Sequence, residues 1–147
     1  MRVLIDTNVI LDFLQKRQPF FESAAKVIMV CREQIVQGGI SAQSIADMFY
    51  ILRKDYTSEE RRRILLDICQ IMDIESIDKY KLISALLNDD FDDFEDCLQT
   101  KCAETFNAEY IITRNIKDFS KSSIPSITPE DFCNKFFSDK ETEKIIQ

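Results

Sequence analysis

The sequence predicts an α/β domain, with a mostly parallel sheet covered on both faces by helices. Three observations predict it. Short apolar runs of strand length alternate with longer segments of helical periodicity along the whole chain. Several of those runs are apolar at consecutive positions, the pattern of strands buried on both faces. The 147 residues are one domain's worth, and their 45% hydrophobic content is that of a globular protein.

The elements follow in order. Arg2 to Ile5 reads as a buried strand, and Asp6 or Thr7 caps a helix running to about Gln15. Pro19 suits the first turn of a second helix. Its apolar positions Ala24, Val27, Ile28, Cys31 and Ile35 recur at spacings of three and four, and Gly38-Gly39 are expected to end it. Ile40 marks a second strand. Ser41 caps a third helix with Ile45, Met48, Phe49 and Leu52 on its stripe. Thr57 or Ser58, with Glu60 or Glu59 following, opens a fourth helix carrying Ile64, Leu65, Ile68, Cys69 and Met72. Ile74 to Ile77 reads as a short strand, and Asp78 caps a brief helix holding Leu82, Ile83, Leu86 and Leu87.

An acidic run comes next, followed by Phe94, Cys97, Leu98, Cys102 and Phe106 at helical spacing. Tyr110 to Thr113 reads as a buried strand and Ile124 to Ile127 as an edge strand. Pro129 opens a last helix with Phe132 and Phe136. A single domain is expected over 1–137, with a fraying polar tail over 138–147.

The chemistry is carboxylate chemistry. Six acids, Asp89, Asp90, Asp92, Asp93, Glu95 and Asp96, fall within eight residues. Setting those six aside leaves 20 acids against 19 bases, so the net charge of −7 is one local cluster. The chain has no histidine, which rules out a Cys/His zinc site and leaves no imidazole to activate a catalytic cysteine. The five cysteines include no C-x-x-C pair and are expected to be reduced. No apolar run approaches the ~20 residues of a membrane span. The N-terminal MRVLIDTN meets an acid before a signal-peptide core develops, so a cytoplasmic location is expected. Arg53, Lys54 and Arg61-Arg62-Arg63 are candidate phosphate contacts, although a solvated helix face explains the triplet as well.

In such a fold ligands bind beyond the carboxyl ends of the strands. Asp6 follows the first strand there, and Arg114, Asn115 and Asp118 follow the strand at Tyr110. Asp96 opens a helix and Asp47 lies one turn into another. Each has a plainer reading as a helix cap, first-turn acid, surface residue or turn. Such roles account for one or two acids, not for six that repel one another. Clustered oxygen donors suit hard divalent cations such as Mg²⁺ or Mn²⁺.

Four segments resemble those of the PIN-domain nucleases. Asp6-Thr7-Asn8-Val9-Ile10-Leu11 is similar to the family's opening motif, and Ser41-x₅-Asp47-Met48 to the segment of its second acid. Asp93-Phe94-Glu95-Asp96-Cys97-Leu98-Gln99 resembles the third-acid motif. Thr113-Arg114-Asn115-x-x-Asp118-Phe119 resembles the closing one. The likeness spans about residues 1 to 137 and is nearest to small prokaryotic, VapC-like toxins. It departs where Asp47 replaces the usual Glu, and where Asn115 stands in place of the usual Asp, with Asp118 three residues on. The resemblance implies a three-layer α/β/α fold and a metal-dependent endoribonuclease. Asp6, Asp47, Asp96 and Asp118 would be its catalytic residues, and Asp6, Asp96, Asp118 and Asn115 its Mg²⁺ or Mn²⁺ ligands. Thr7, Asn8, Asp93 and Thr113 would support them. It also implies an RNA substrate, an antitoxin protein as partner and a homodimer.

Two rivals remain. Haloacid-dehalogenase-like phosphatases also place an acid after the first strand, but need a second acid where Asn8 stands. A catalytically degenerate PIN-like binding module needs no complete acidic set.

Overall fold

The computed structural model describes residues 1–137 and Lys144; the expected polar tail lies almost wholly outside the described residues. Five strands form one sheet: β1 Arg2–Ile5, β2 Gln37–Ser41, β3 Asp73–Glu75, β4 Tyr110–Ile112 and β5 Ser126–Ile127. Their spatial order is β3-β2-β1-β4-β5, and every neighbouring pair is parallel. The helices are α1 Thr7–Leu14, α2 Phe21–Arg32, α3 Ala42–Ile51, α4 Ser58–Ile71, α5 Lys79–Leu86, α6 Phe94–Thr105 and α7 Pro129–Phe136. This is the three-layer α/β/α architecture.

The central strand shows why the sheet is double-faced. Val3, Leu4 and Ile5 are all fully buried. Side chains alternate along a strand. Val3 and Ile5 therefore join the core made with α1, α2, α3, α4 and α7, while Leu4 joins a second core with Cys102, Ala103 and Phe106 of α6 and its C-terminal cap. Ile112 and Ile111 of β4 divide the same way. Each buried aliphatic side chain contributes roughly 1.5–3 kcal/mol.

Most boundaries are local in origin. Ser41, Thr57, Asp78, Asp93 and Thr128 cap α3, α4, α5, α6 and α7 through their side chains, and Thr57 with Glu60 completes a capping box.

Four expectations are corrected. Gly38-Gly39 do not end α2; they lie inside β2, at negative φ. A Cβ on Gly38 would sit 2.6 Å from Cys31 Sγ, and one on Gly39 would sit 2.7 Å from Phe106 Cε1. The strand is sandwiched too closely for side chains on either face. Helix α2 instead stops at Arg32, where Gln34 adopts a left-handed conformation (φ 59°), so Ile35 leaves the stripe and is exposed. Pro19 lies in the turn ahead of α2 rather than in its first turn. In α5 the apolar residues Leu82, Ile83, Leu86 and Leu87 face outward, while Lys81 and Ala85 are buried. The Lys81 ammonium is drawn in by Glu75 Oε2 at 3.1 Å and by the Ser76 carbonyl, and Thr105 Oγ1 donates to the same Glu75 oxygen at 2.8 Å. The buried face of the helix is thus set by this ion pair with β3 and not by its apolar pattern. No helix among the described residues is long and apolar enough to cross a membrane.

Candidate active site

Strand order reverses at β1: β2 follows on one side and β4 lies on the other. The crevice at such a switch point is the usual ligand site of an open parallel sheet. Here it is a cleft of about 380 Å³ beyond the carboxyl ends of the strands. Asp6, Thr7, Asn8, Asp47, Asp93, Asp96, Asn115 and Asp118 all line it. Thr113, fully buried, lies behind its wall, and Arg114, Asp89, Asp90, Asp92 and the candidate phosphate contacts Arg53, Lys54 and Arg61-Arg62-Arg63 are not part of its lining.

Asp6 is 6% exposed and occupies the N-cap position of α1, yet its side chain makes no capping bond. Both carboxylate oxygens are engaged elsewhere. Gln99 Nε2 donates to Oδ1 at 2.8 Å, and the fully buried Thr113 hydroxyl donates to Oδ2 at 2.9 Å. Thr113 Oγ1 in turn accepts the Asn115 backbone N–H at 3.0 Å, which ties the loop after β4 to the acid after β1. Burial raises the Asp6 carboxyl above its ordinary value, the Thr113 and Gln99 hydrogen bonds pull it back, and the Asp118 charge adds to the rise.

Asp93 caps α6 by accepting the N–H groups of Glu95 and Asp96 at 2.8 and 3.2 Å. This aims the first turn of α6, and with it Asp96, into the cleft. The Asp96 carboxyl is pushed up to about 7, first by desolvation and then by Asp93, Asp118, Asp6 and Glu95. Glu95 is raised as well, by desolvation and then by Asp47 and Asp93. Asp47 accepts a hydrogen bond from Gln43 Nε2 at 2.9 Å. Thr7 Oγ1 and Ser44 Oγ lie 2.7 Å apart, and Ser44 Oγ lies 3.0 Å from Ser41 Oγ. That hydroxyl chain joins the start of α1 to the start of α3.

The site contains residues that the sequence did not single out. Gln99 was visible only as part of a motif, and its partner Asp6 is 93 residues away; its Oε1 is buried with no hydrogen-bond partner among the described residues. Tyr50 lines the cleft too, as does Glu95 of the acidic run. Asp12, 1% exposed, accepts Arg114 Nε and Nη2 at 2.9 and 3.2 Å, and the Arg114 guanidinium lies over the Phe20 ring. This part-buried pair holds the residue next to Asn115. Spacing had signalled none of these long-range pairs.

The donor set is all oxygen, which fits Mg²⁺ or Mn²⁺. No three acidic or cysteine side chains among the described residues form a closed cage for one ion. Mg²⁺ needs no such cage, since it is commonly held by one or two carboxylates with water and substrate phosphate completing its shell. The residues present fit such an ion.

A PIN domain profile matches residues 2–117. The chain belongs to the PIN domain family. PIN domains are nucleases, and as a family they use divalent metal ions. The fold of this PIN domain is similar to several solved structures. A toxin–antitoxin complex from Klebsiella pneumoniae matches with a TM-score of 0.65 and 23% identity, over 86% of this chain and 97% of that one. VapBC2 from Rickettsia felis, bound to a DNA fragment from its promoter, matches at 0.58 and 18%, over 87% and 98%. VapBC-1 from nontypeable Haemophilus influenzae matches at 0.61 and 15%, over 88% and 99%. At these identities the likeness is one of fold. No curated protein sequence matches the chain.

Proposed function

We propose that this PIN domain is a metal-dependent endoribonuclease, the toxin of a toxin–antitoxin pair. The observation that carries the reading is the meeting of Asp6, Asp96 and Asp118 in one open cleft, where desolvation and then the neighbouring carboxylates raise the Asp96 carboxyl to about 7. A cluster that resists its own ionisation favours a cation. Asp6, Asp96 and Asp118 would hold Mg²⁺ or Mn²⁺, with the Asn115 carbonyl oxygen as a neutral ligand. When bound, such an ion makes water a stronger nucleophile and neutralises charge on the scissile phosphate.

The chain's own residues do the rest. Thr113 and Gln99 fix both oxygens of Asp6, and Asp93 fixes the helix turn that carries Asp96. Asp47 faces the cleft from α3 with Thr7 and Asn8 beside it, placed to accept a proton or orient water. No protein nucleophile is required, in keeping with a chain that lacks histidine. The toxin assignment rests on the fold neighbours, which include complexes of toxin with antitoxin. A cytoplasmic homodimer that pairs with an antitoxin is the assembly this reading implies.

A second reading, a PIN-fold binding module without nuclease activity, is favoured by the absence of a three-acid cage among the described residues and by the uncharged Asn115. The test is incubation of the purified chain with single-stranded RNA, with Mn²⁺ or with chelator. Endonucleolytic products that require Mn²⁺ and vanish with Asp96→Asn are expected. An intact RNA at all metal concentrations, for a folded protein, selects the binding module.

A further inference from the structure

The cleft poses an electrostatic problem for any nucleic-acid ligand. Among the described residues six acids line it, Asp6, Asp47, Asp93, Glu95, Asp96 and Asp118, and no Lys or Arg does. Nucleic-acid affinity ordinarily comes from cations on phosphates. Within the cleft itself, a substrate gains from a holding contact that does not depend on charge.

The lining offers one aromatic ring, that of Tyr50. It lies at the end of α3, one turn beyond Asp47, and is 64% exposed. The Arg53 guanidinium packs on the ring with its Cζ 3.7 Å from the ring centroid, and Arg53 Nη1 donates to the Tyr50 carbonyl at 2.9 Å. The ring is therefore held in orientation although most of its surface is open. Lys54 follows Arg53 and is exposed. From the acids outward, the rim runs carboxylate, aromatic ring, then cation.

We infer that Tyr50, steadied by Arg53, is a stacking site for one unpaired nucleobase of single-stranded RNA, next to the phosphate held in the cleft. The inference rests on the nuclease reading above and adds a substrate form to it. Stacking on a side-chain ring requires a base that is splayed out, which a duplex does not present. Every base has a π-face, so the contact tolerates any sequence while selecting single strands. Arg53 and Lys54 lie where the backbone of the stacked nucleotide leaves the acidic zone, and can meet its phosphate. The site thus places attraction on the rim and repulsion at the centre, where a metal ion neutralises it.

The experiment is fluorescence anisotropy of a labelled single-stranded oligoribonucleotide, and of the same strand in a duplex. Ca²⁺ replaces Mn²⁺ to limit cleavage. Wild type should bind the single strand more tightly than the duplex. Tyr50→Ala should weaken single-strand binding roughly 5- to 150-fold, the effect of losing one stacked base, and leave the duplex unchanged. Tyr50→Trp should retain binding. The chain contains no Trp, so this indole is a unique reporter, and its emission should be quenched by the single strand. Tyr50 is exposed, and a melting curve checks that each variant is folded. Equal single-strand affinity for Tyr50→Ala and wild type would overturn the stacking site while leaving the nuclease reading intact. Failure of wild type to bind either form of RNA would overturn both.

Discussion

Neutralising Asp96 should stabilise the metal-free protein, and only above mildly acidic pH. The carboxyl rises from 3.8 to about 7 in the folded chain. Below the lower value it is protonated in both states, and nothing is lost. Between the two values the unfolded chain releases a proton that the fold still holds, so stability falls as pH rises. Above about 7 the destabilisation is complete. A shift of about 3 units corresponds to ~4 kcal/mol for a fully buried group. Asp96 is only part-buried, and water screening reduces this to about 1–2 kcal/mol. Asn keeps the shape and removes the charge, but forfeits ~0.3–1 kcal/mol of favourable interaction with the α6 N-terminus. The net expectation for Asp96→Asn is a gain of about 1 kcal/mol near pH 8, or ~3 °C in Tm, and no gain near pH 4. Thermal melts of both proteins in chelator across that range measure it. A variant less stable near pH 8, or equally stabilised at both ends, would refute the argument from desolvation and repulsion and leave Asp96 as a helix-start residue.

Divalent metal should raise Tm in proportion to RT ln(1 + [metal]/Kd), about 3 kcal/mol at a hundredfold excess over Kd. Asp118→Asn should weaken Mn²⁺ binding in calorimetric titration, whereas Asn115→Asp should hold or strengthen it; parental affinity in Asp118→Asn would show that Asp118 is only a turn residue. Gln99→Met removes a donor to a charged oxygen and, at the same time, an acceptor buried without a partner. These opposed effects leave stability within about 1 kcal/mol of the parent, while the freed Asp6 lowers Mn²⁺ affinity; a loss above ~3 kcal/mol by urea unfolding would make Gln99 structural instead. Gly39→Ala places a methyl 2.7 Å from the buried Phe106 ring and should cost ~1–3 kcal/mol, so an unchanged urea midpoint with an unchanged m-value would contradict the close approach.

The sequence by itself determined what depends on near neighbours. The consecutive apolar run Val3-Leu4-Ile5 carries its own statement of a strand buried on both faces. The caps at Ser41, Thr57 and Asp78 act on N–H groups three residues on, so spacing alone reveals them or narrows them to a neighbouring pair. Alternation of strands and helices then leads to a parallel sheet, and the sheet puts Asp6, Asn115 and Asp118 at its carboxyl edge.

Tertiary structure decided what depends on residues far apart in the chain. Gly38-Gly39 carry a local signal for a helix end, yet Cys31, Met72 and Phe106 close on them from both faces of the sheet and make them strand. Leu82, Ile83, Leu86 and Leu87 carry the signal for a buried stripe, yet they face outward, and Lys81 is buried instead against Glu75, whose carboxylate also accepts from Thr105, 30 residues away. Gln99 and Asp12 look like ordinary polar helix positions until Asp6 and Arg114 are folded against them, 93 and 102 residues away in the chain. Spacing records what the backbone can do over one or two turns. Packing and ion pairing are settled by which distant side chains the sheet order brings within a few ångströms.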